Sequence, residues 1–359
     1  MQSPFPLRRF LWIVFAGALL GAIYTYFQHG APAIGALVGS SIGAAIFALE
    51  RFVLRRNSGA VLRRLPFFAY FVLRSALYVG ILLLINELAN RFASPEGRFV
   101  PINQVDILAS VSVCVGGNLL ISVNDLLGPG VLFNFAAGRY YHPRREERVL
   151  LLIDMRSSTA IAERLGEARF LDFLNRFIFD VSLAIAAAGG EIHKYVGDEV
   201  IATWPLSPGS NEAGCVRACF APFERLAARR ADYEAEFGLR ADFRAGLHCG
   251  PLVVGELGYL KKEIALIGDA MNTAARILEA CRETGCRVLA SATLLERLTA
   301  LPPGVAARAL GPLPMRGKDR ALELMPWRQV GRRARNLLVA NPSLRAFRDS
   351  ERLATYPRR

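Results

Sequence analysis

The sequence predicts an all-α membrane domain with four transmembrane helices, followed by an α+β domain. Two observations lead to this prediction. The 359 residues are 53% hydrophobic and 21% charged, with a mean hydropathy of +0.28, and long apolar stretches occur before residue 128. Residues 149–330 instead carry 22 basic and 22 acidic side chains, and short apolar runs alternate there with amphipathic ones. A chain of this length and composition is typical of two domains.

Four apolar stretches in the first third predict membrane spans, because about 20 apolar residues cross the roughly 30 Å hydrocarbon core of a bilayer. They cover residues 10–27, 32–49, 66–85 and 105–123. The first stretch also resembles a secretory signal peptide, since arginines precede it and small residues follow it. Three further spans favour a retained anchor, so we expect a multi-pass protein of the cell (inner) membrane, embedded in the lipid bilayer.

Arginine placement predicts the orientation of these spans, since basic loops stay on the cytoplasmic side. Arg8 and Arg9 precede the first span, whereas the connection at 28–31 contains no Lys or Arg. Further arginines fill the connection between the second and third spans and follow the fourth, namely Arg51, Arg55, Arg56, Arg63, Arg64, Arg139, Arg144, Arg145 and Arg148. We therefore expect both termini and the α+β domain to be cytoplasmic.

Glycines in the first two spans predict close helix contacts. Gly17 and Gly21 form one Gly-x-x-x-Gly pair, and Gly35, Gly39 and Gly43 form two more on one face of the second span. This spacing lets two helix backbones approach closely enough for packing and weak hydrogen bonds to hold them. The contact lies either within one bundle or between two subunits.

Arg74 lies near the middle of the third span, where an unpaired cation is costly. It therefore requires a partner, and Asn118 in the fourth span is the polar residue at the most comparable depth. The pair is either structural or part of a ligand-sensing site.

The formal charge of +13 is concentrated outside residues 149–330. Residues 1–128 carry 10 basic and 5 acidic side chains, and residues 331–359 carry 8 and 2. We expect no nucleic-acid partner, because a phosphate backbone requires clustered positive charge and the α+β domain is neutral. The six cysteines form no Cys-x-x-Cys pair and no cluster with histidine, which indicates reduced thiols rather than a zinc site or a disulfide framework.

Two acidic residues in the second half mark a candidate metal site. Asp154 ends an apolar strand at 149–153, and a polar run then opens an amphipathic segment that continues to residue 188 with a break near Gly166. Asp198 lies in the turn between predicted strands at 191–196 and 199–204. Alone, Asp154 is equally compatible with a helix cap. Together, two such carboxylates can hold divalent ions about 3.5 to 4 Å apart, which activates a hydroxyl and neutralises a triphosphate.

A second candidate cluster follows on a helix predicted over 269–282, after strands predicted at 239–249, 251–258 and 263–267. Asn272 and Arg276 are four residues apart on this helix, so they share a face and can reach one ligand. By spacing alone, a solvated polar stripe is the favoured explanation of the pair.

Four motifs resemble those of class III nucleotidyl cyclases in order and spacing. They are Leu152-Ile153-Asp154-Met155, Lys194-Tyr195-Val196-Gly197-Asp198-Glu199, Gly246-Leu247-His248-Cys249-Gly250 and Ile267-Gly268-Asp269-Ala270-Met271-Asn272-Thr273-Ala274-Ala275-Arg276. The likeness covers about half of the chain. It implies a ferredoxin-like βαββαβ fold and the conversion of ATP to 3',5'-cyclic AMP and pyrophosphate for intracellular signalling.

The resemblance implies a metal and phosphate site. Asp154 and Asp198 correspond to the residues that bind two Mg²⁺ or Mn²⁺ ions, with the carbonyl oxygen of Met155 as a further ligand. The corresponding triphosphate contacts come from Arg244, from Arg316 or Lys318, and from the backbone of Arg156, Ser157, Ser158 and Thr159.

The resemblance also implies residues for the nucleoside and the transferred phosphorus. Lys194 corresponds to the residue that reads the purine, where a lysine can donate to adenine N1. Asn272 corresponds to the residue that orients the ribose, and Arg276 to the one that stabilises charge on phosphorus. The second purine-reading position is Ala265, which departs from the Asp or Thr usual in adenylyl enzymes. GTP therefore stays open as a substrate.

Family geometry implies a homodimer, since it places the carboxylates of one subunit opposite Lys194, Asn272 and Arg276 of the other. The glycine faces and a linker are candidates for holding the two copies together. We expect a membrane domain at 1–128, an amphipathic linker at 129–148, a catalytic domain at 149–328 and an Arg-rich tail at 329–359. Two alternatives are a diguanylate cyclase, suggested by Gly189-Gly190-Glu191, and a catalytically silent membrane receptor that uses the domain for dimerisation.

Overall fold

The computed structural model describes residues 7–30, 32–54, 65–93, 104–127, 137–206, 212–260, 262–298, 305–307, 310, 312–313 and 322–329. The chain divides into two compact units, Met1–Phe133 and Asn134–Arg359. Arg316, Lys318 and almost all of the predicted tail lie outside the described residues.

The first unit contains the four predicted helices. They are α1 (Leu7–His29), α2 (Pro32–Ala48), α3 (Phe67–Ala93) and α4 (Gln104–Leu127). Each includes a stretch of at least 18 residues that is long and apolar enough to cross a membrane. A π-helical turn at Leu49–Leu54 continues α2, so the second helical segment runs five residues past its predicted end.

The glycines of α1 and α2 face each other within one chain. A Cβ atom on Gly21 would lie 2.0 Å from the carbonyl oxygen of Gly35, and one on Gly39 would lie 2.1 Å from that of Gly17. The two backbones are therefore in direct contact, which only residues without a side chain permit. Of the two alternatives, the structure supports packing within one bundle and leaves these faces covered.

The ionic partner of Arg74 is Glu50, not Asn118. Arg74 Nε donates to Glu50 Oε1 at 2.7 Å and to the hydroxyl of Tyr78 at 2.9 Å. Asn118 instead donates to Ser75 Oγ at 2.7 Å. The π-helical turn brings Glu50 onto the end of the second span, beyond the stretch that apolar composition identified.

The second unit combines one mixed sheet with helices. Its elements along the chain are β1 (Arg144–Met155), α5 (Ser158–Leu165), α6 (Glu167–Ala187), β2 (Glu191–Val196), β3 (Glu199–Pro205), α7 (Glu212–Ala228), α8 (Arg230–Phe237), β4 (Phe243–Leu257), β5 (Glu263–Ile267), α9 (Asp269–Thr284), β6 (Val288–Ser291), α10 (Ala292–Arg297), β7 (Val305–Ala307), β8 (Pro312–Leu313) and β9 (Leu322–Gln329).

The strand order is β2-β3-β1-β4-β6-β9-β7, with β5 paired to β4 and β8 paired to β9. Its first four strands are antiparallel and have the order expected of a ferredoxin-like βαββαβ core. Two expectations differ from the structure in detail. β1 begins at Arg144, inside the segment treated as a linker, and β4 runs through Gly250 as one strand, where two had been predicted.

Both faces of the central sheet are covered, which explains why β1 is apolar at every position from Val149 to Ile153. Odd-numbered residues of β1 pack against Phe173 and Phe177 of α6. Even-numbered residues pack on the other face against Ala274 and Leu278 of α9. Successive side chains of a strand point to opposite faces, so a strand buried on both sides has no polar alternation.

Helix α9 approaches the sheet closely at Gly246 on β4. A Cβ on Gly246 would lie 2.7 Å from the backbone nitrogen of Leu278, so only glycine permits this contact. Gly246 is also the register partner of Leu152 on β1. The last turn of α9 therefore lies beside the end of β1, where Asp154 is found.

Candidate active site

Asp154 lies at the carboxyl end of β1, between two charged neighbours on adjacent strands. Its register partners are Glu199 on β3 and Arg244 on β4. Asp154 is only 4% exposed, because it continues the even-numbered face that α9 covers. A buried carboxylate requires a cation or hydrogen-bond donors, so this position is suited to binding positive charge.

The hairpin of β2 and β3 brings two more carboxylates towards Asp154. Gly197 in the turn has a φ of 62°, a left-handed conformation that glycine adopts without strain. Asp198 follows it, and Glu199 begins β3. The pKa of Glu199 is raised, first by burial and then by repulsion from Asp154 and Asp198. The three acidic groups are therefore close enough to interact electrostatically.

The chain turns sharply directly after Asp154 and Met155. Ser157 has a φ of 58° and is the one residue other than glycine with positive φ in the described part of the chain. Helix α5 begins at Ser158 and receives no side-chain cap from Ser157. Backbone N–H groups at a helix start are suited to binding anions. A carboxylate suited to a cation and a turn suited to an anion thus lie within five residues.

Arg156 and Asp242 hold this turn against the start of β4. Arg156 donates its backbone N–H to the carbonyl oxygen of Asp242 at 2.9 Å. Its Nη1 lies 3.0 Å from Asp242 Oδ2, and Arg287 also donates to that carboxylate. The Arg156 side chain is therefore engaged with Asp242, and its expected contribution to phosphate binding rests on the backbone.

Arg282 makes the direct contact with the candidate metal ligand. Its Nη2 donates to Asp154 Oδ2 at 2.7 Å. Sequence reasoning missed this residue, although a signal exists: Arg282 lies four residues after Leu278, on the face of α9 that covers β1. The helical spacing identifies Arg282 as a neighbour of Asp154 only once the close contact at Gly246 has fixed the position of α9 on the sheet.

The purine-reading candidates lie on β2 and β5. Lys194 is about half exposed, and its Nζ lies 3.9 Å from Glu263 Oε1. Ala265, two residues after Glu263 on β5, is 7% exposed and has no side-chain acceptor. The structure thus brings Lys194 and β5 together and places Glu263, which sequence reasoning did not consider, beside Lys194.

Asn272 and Arg276 lie one turn apart on α9, which begins after Gly268. Asn272 is exposed and Arg276 is half-buried, whereas Thr273 and Ala274 of the same helix face the protein interior. Among the residues that the structure describes, neither side chain forms a hydrogen bond or ion pair with Asp154 or Asp198. Within one copy of the chain, the structure does not join this pair to the carboxylates.

The side chains around Asp154 are of the type that binds divalent ions, but by themselves they do not supply a complete coordination sphere. Carboxylate oxygens are the ligands that Mg²⁺ and Mn²⁺ prefer. Within the described ranges, no group of three or more His, Cys, Asp and Glu side chains is placed to hold a metal ion. Magnesium sites commonly use one or two carboxylates together with substrate phosphates, and the pair Asp154 and Asp198 would match such a site in ligand type and number.

A cavity of about 240 Å³ lies elsewhere in this unit and is lined by Glu147, His248, Cys249, Asp269 and other residues. Glu147 is seven residues before Asp154 on β1, a separation of roughly 23 Å along a strand. The imidazole Nδ1 of His248 lies 2.8 Å from Ser291 Oγ. This cavity is therefore separate from the carboxylates.

Residues 140–325 match the family described as the adenylate and guanylate cyclase catalytic domain. The chain is 31% identical over 330 residues to a protein named adenylate cyclase 2 from Rhizobium meliloti, covering 88% of this chain and 85% of that protein. It is 27% identical over 180 residues to an adenylate cyclase from Anabaena cylindrica, covering 49% of this chain and 35% of that protein.

A solved bacterial light-regulated adenylyl cyclase has the same fold. It superposes with a TM-score of 0.52 and 20% sequence identity, covering 68% of this chain and 71% of that one. The family match spans both candidate clusters, and the Rhizobium relative extends the similarity over most of the chain. The chain therefore belongs to the class III adenylate and guanylate cyclase family.

Proposed function

We propose that this protein is a membrane-anchored adenylate cyclase that converts ATP to 3',5'-cyclic AMP and pyrophosphate for intracellular signalling. One observation carries the proposal above the others. Asp154 is buried at the end of β1, with Glu199 and Arg244 in register beside it and the anion-binding turn directly after it. Cation and polyphosphate can thus bind at one point, as nucleotidyl transfer requires.

Asp154 and Asp198 are the side chains that would hold two Mg²⁺ or Mn²⁺ ions, with the Met155 carbonyl as a further ligand. When bound, such ions lower the pKa of a hydroxyl and neutralise a triphosphate. The backbone from Arg156 to Thr159 and the Arg244 side chain bind the triphosphate in this proposal. The ribose 3'-hydroxyl then attacks the α-phosphorus, and pyrophosphate leaves.

In this proposal the nucleoside and the transferred phosphorus are bound by Lys194 together with the second cluster, Asn272 and Arg276. Lys194 donates to the purine, Asn272 orients the ribose, and Arg276 stabilises the charge that develops on phosphorus. Because these side chains make no contact with the carboxylates within one copy of the described chain, we assign the two clusters of each site to different subunits of a homodimer. A single copy then holds two half-sites, and catalysis requires association.

ATP is the preferred substrate in this proposal. Three relatives that are similar to this chain over much or all of its catalytic region are named adenylate cyclases. Guanylate cyclase activity is the second candidate. It is favoured by Ala265, which is buried and offers no acceptor to the adenine amino group. The two candidates differ in which nucleotide has the higher kcat/KM.

The activity is tested on the purified full-length protein in detergent or native membranes, with Mg²⁺ or Mn²⁺ and either nucleotide. We expect cyclic AMP to form, and Asp154→Ala or Asp198→Ala to abolish its formation without unfolding the protein. A variant that retains more than about a tenth of the rate, only ~1.4 kcal/mol of barrier, would contradict the metal assignment. Asp232→Ala is the matched control, since Asp232 lies on α8, is 56% exposed and pairs with Arg229 just before that helix.

The shared site is tested by mixing inactive variants. Asp154→Ala and Arg276→Ala damage different clusters, so a mixed dimer contains one intact site, and random assembly restores about a quarter of the activity. Asp154→Ala mixed with Asp198→Ala damages the same cluster and should restore nothing. Equal results from the two mixtures would exclude the homodimeric arrangement.

The four helices of spanning length support a multi-pass membrane anchor, and the arginine pattern supports a cytoplasmic location for both termini and the catalytic domain. Single cysteines placed near residues 30 and 60 test this topology with a membrane-impermeant thiol reagent. In intact cells we expect labelling near residue 30 and none near residue 60. The reverse pattern would overturn the assigned orientation.

A further inference from the structure

The ion pair between Arg282 and Asp154 joins an exposed side chain to a buried one. The Arg282 side chain is 58% exposed, yet it donates at 2.7 Å to a carboxylate whose side chain is only 6% exposed. Most ion pairs between exposed side chains contribute little, but one buried partner makes the charge-assisted bond stronger. Arg282 therefore extends from solvent to neutralise a carboxylate that water barely reaches.

The surrounding charge explains why a cation is required there. Glu199 lies beside Asp154 in the sheet, and Asp198 precedes it in the hairpin turn. Three carboxylates thus lie at one edge of the sheet, and Asp154 itself is only 4% exposed, so little water screens their mutual repulsion. The Arg282 guanidinium donates to Asp154 at 2.7 Å, so it lies in the negative field of these carboxylates, where a divalent ion would also be attracted.

We propose that Arg282 is a built-in counter-ion that occupies the Asp154 carboxylate until a divalent cation displaces it, and so sets the cation affinity of the site. This inference rests on the proposed function, since it takes Asp154 as a metal ligand. Arg282 acts through Asp154 and is a positioning residue. Its mostly exposed side chain can swing back into solvent at low cost, whereas Asp154 stays fixed by the end of β1.

The proposal predicts the sign of an affinity change. Removing the guanidinium removes a competing cation and leaves the acidic groups with uncompensated repulsion, and both effects favour metal binding. We expect Arg282→Gln to bind Mn²⁺ at least fivefold more tightly than the unmodified protein. A purely structural arginine would leave the affinity unchanged or, by loosening Asp154, weaken it.

The experiment measures Mn²⁺ binding without nucleotide, by electron paramagnetic resonance of free Mn²⁺ in the presence of purified full-length protein. Arg230→Gln is the matched control, because Arg230 is a helical arginine, 52% exposed, that pairs with Glu234. It should bind Mn²⁺ as the unmodified protein does. Asp154→Asn should bind at least tenfold more weakly.

Thermal unfolding gives a second readout that does not depend on activity. Arg282→Gln should lower the Tm without metal, and saturating Mn²⁺ should remove that difference. Unchanged or weaker Mn²⁺ binding by Arg282→Gln, with Asp154-dependent binding intact, would overturn this inference alone. Mn²⁺ binding that is absent or independent of Asp154 would overturn both this inference and the metal site of the proposed function.

Discussion

Arg74 on α3 and Glu50 on the π-helical turn form an ion pair at 2.7 Å inside helices of membrane-spanning length. The two side chains are only 3% and 15% exposed. The hydroxyl of Tyr78 also donates to Glu50, at 2.5 Å. The pair therefore joins the second and third helices through a polar contact in otherwise apolar surroundings.

Removing one partner of this pair should destabilise the membrane domain more than removing both. Arg74→Met removes the guanidinium that lies 2.7 Å from the buried Glu50 carboxylate, and removing one partner of a buried ion pair costs about 3 to 5 kcal/mol. The double variant Arg74→Met/Glu50→Gln removes both charges and should recover most of the loss. Unfolding by denaturing detergent measures these differences, and equal stability of the single and double variants would contradict the pairing.

Gly21→Ala should destabilise the contact between α1 and α2. The added methyl group would lie 2.0 Å from the carbonyl oxygen of Gly35, so the two helices must separate, at a cost of about 1 to 3 kcal/mol. Gly80→Ala on α3 is the matched control, because a Cβ there meets nothing within 4 Å. The same detergent titration compares the two variants. A Gly21→Ala variant as stable as Gly80→Ala would show that the helices do not touch there.

His193 should make the stability of the catalytic domain depend on pH. Its pKa is lowered from 6.5 to about 4, mainly by burial and then by the nearby cations Lys194 and Arg148. Between about pH 6.5 and 4, His193 is protonated in the unfolded chain but stays neutral in the folded protein. The free energy of unfolding therefore falls as the pH drops through this range. The Tm of the catalytic transition, followed from pH 8 to pH 4, should fall less steeply in His193→Gln. If Tm fell equally with pH in the unmodified protein and in His193→Gln, His193 would not be the source of the pH dependence.

Glu263 should affect nucleotide use without affecting stability. It lies 3.9 Å from Lys194, and both side chains are about half exposed, so the pair contributes little to folding. Glu263→Ala frees Lys194 to adopt other rotamers, and ordering it against the purine then costs affinity. We expect kcat/KM for ATP to fall about three- to tenfold, or ~0.7 to 1.4 kcal/mol, with an unchanged Tm. An unchanged kcat/KM would show that Glu263 does not position Lys194.

The four apolar helices and the central strand β1 could be predicted from the sequence, because each is marked by a continuous run of apolar residues. Nearly continuous apolar composition identifies a spanning helix, and the two-sided apolar run of β1 identifies a central strand. The positions of Asp154 at the end of β1 and of Asp198 in the turn before β3 could also be predicted from the local pattern, whereas their role as metal ligands stays a prediction. These features depend on neighbours within about 20 residues.

Contacts between distant segments were decided only by the tertiary structure. The pairing of Arg282 with Asp154 depends on how closely α9 approaches the sheet at Gly246, and the partner of Arg74 depends on a π-helical turn at Glu50. The sequence determined which residues are apolar, acidic or basic along each element. Register and helix approach determined which of them meet, because backbone geometry and packing set distances that no local pattern records.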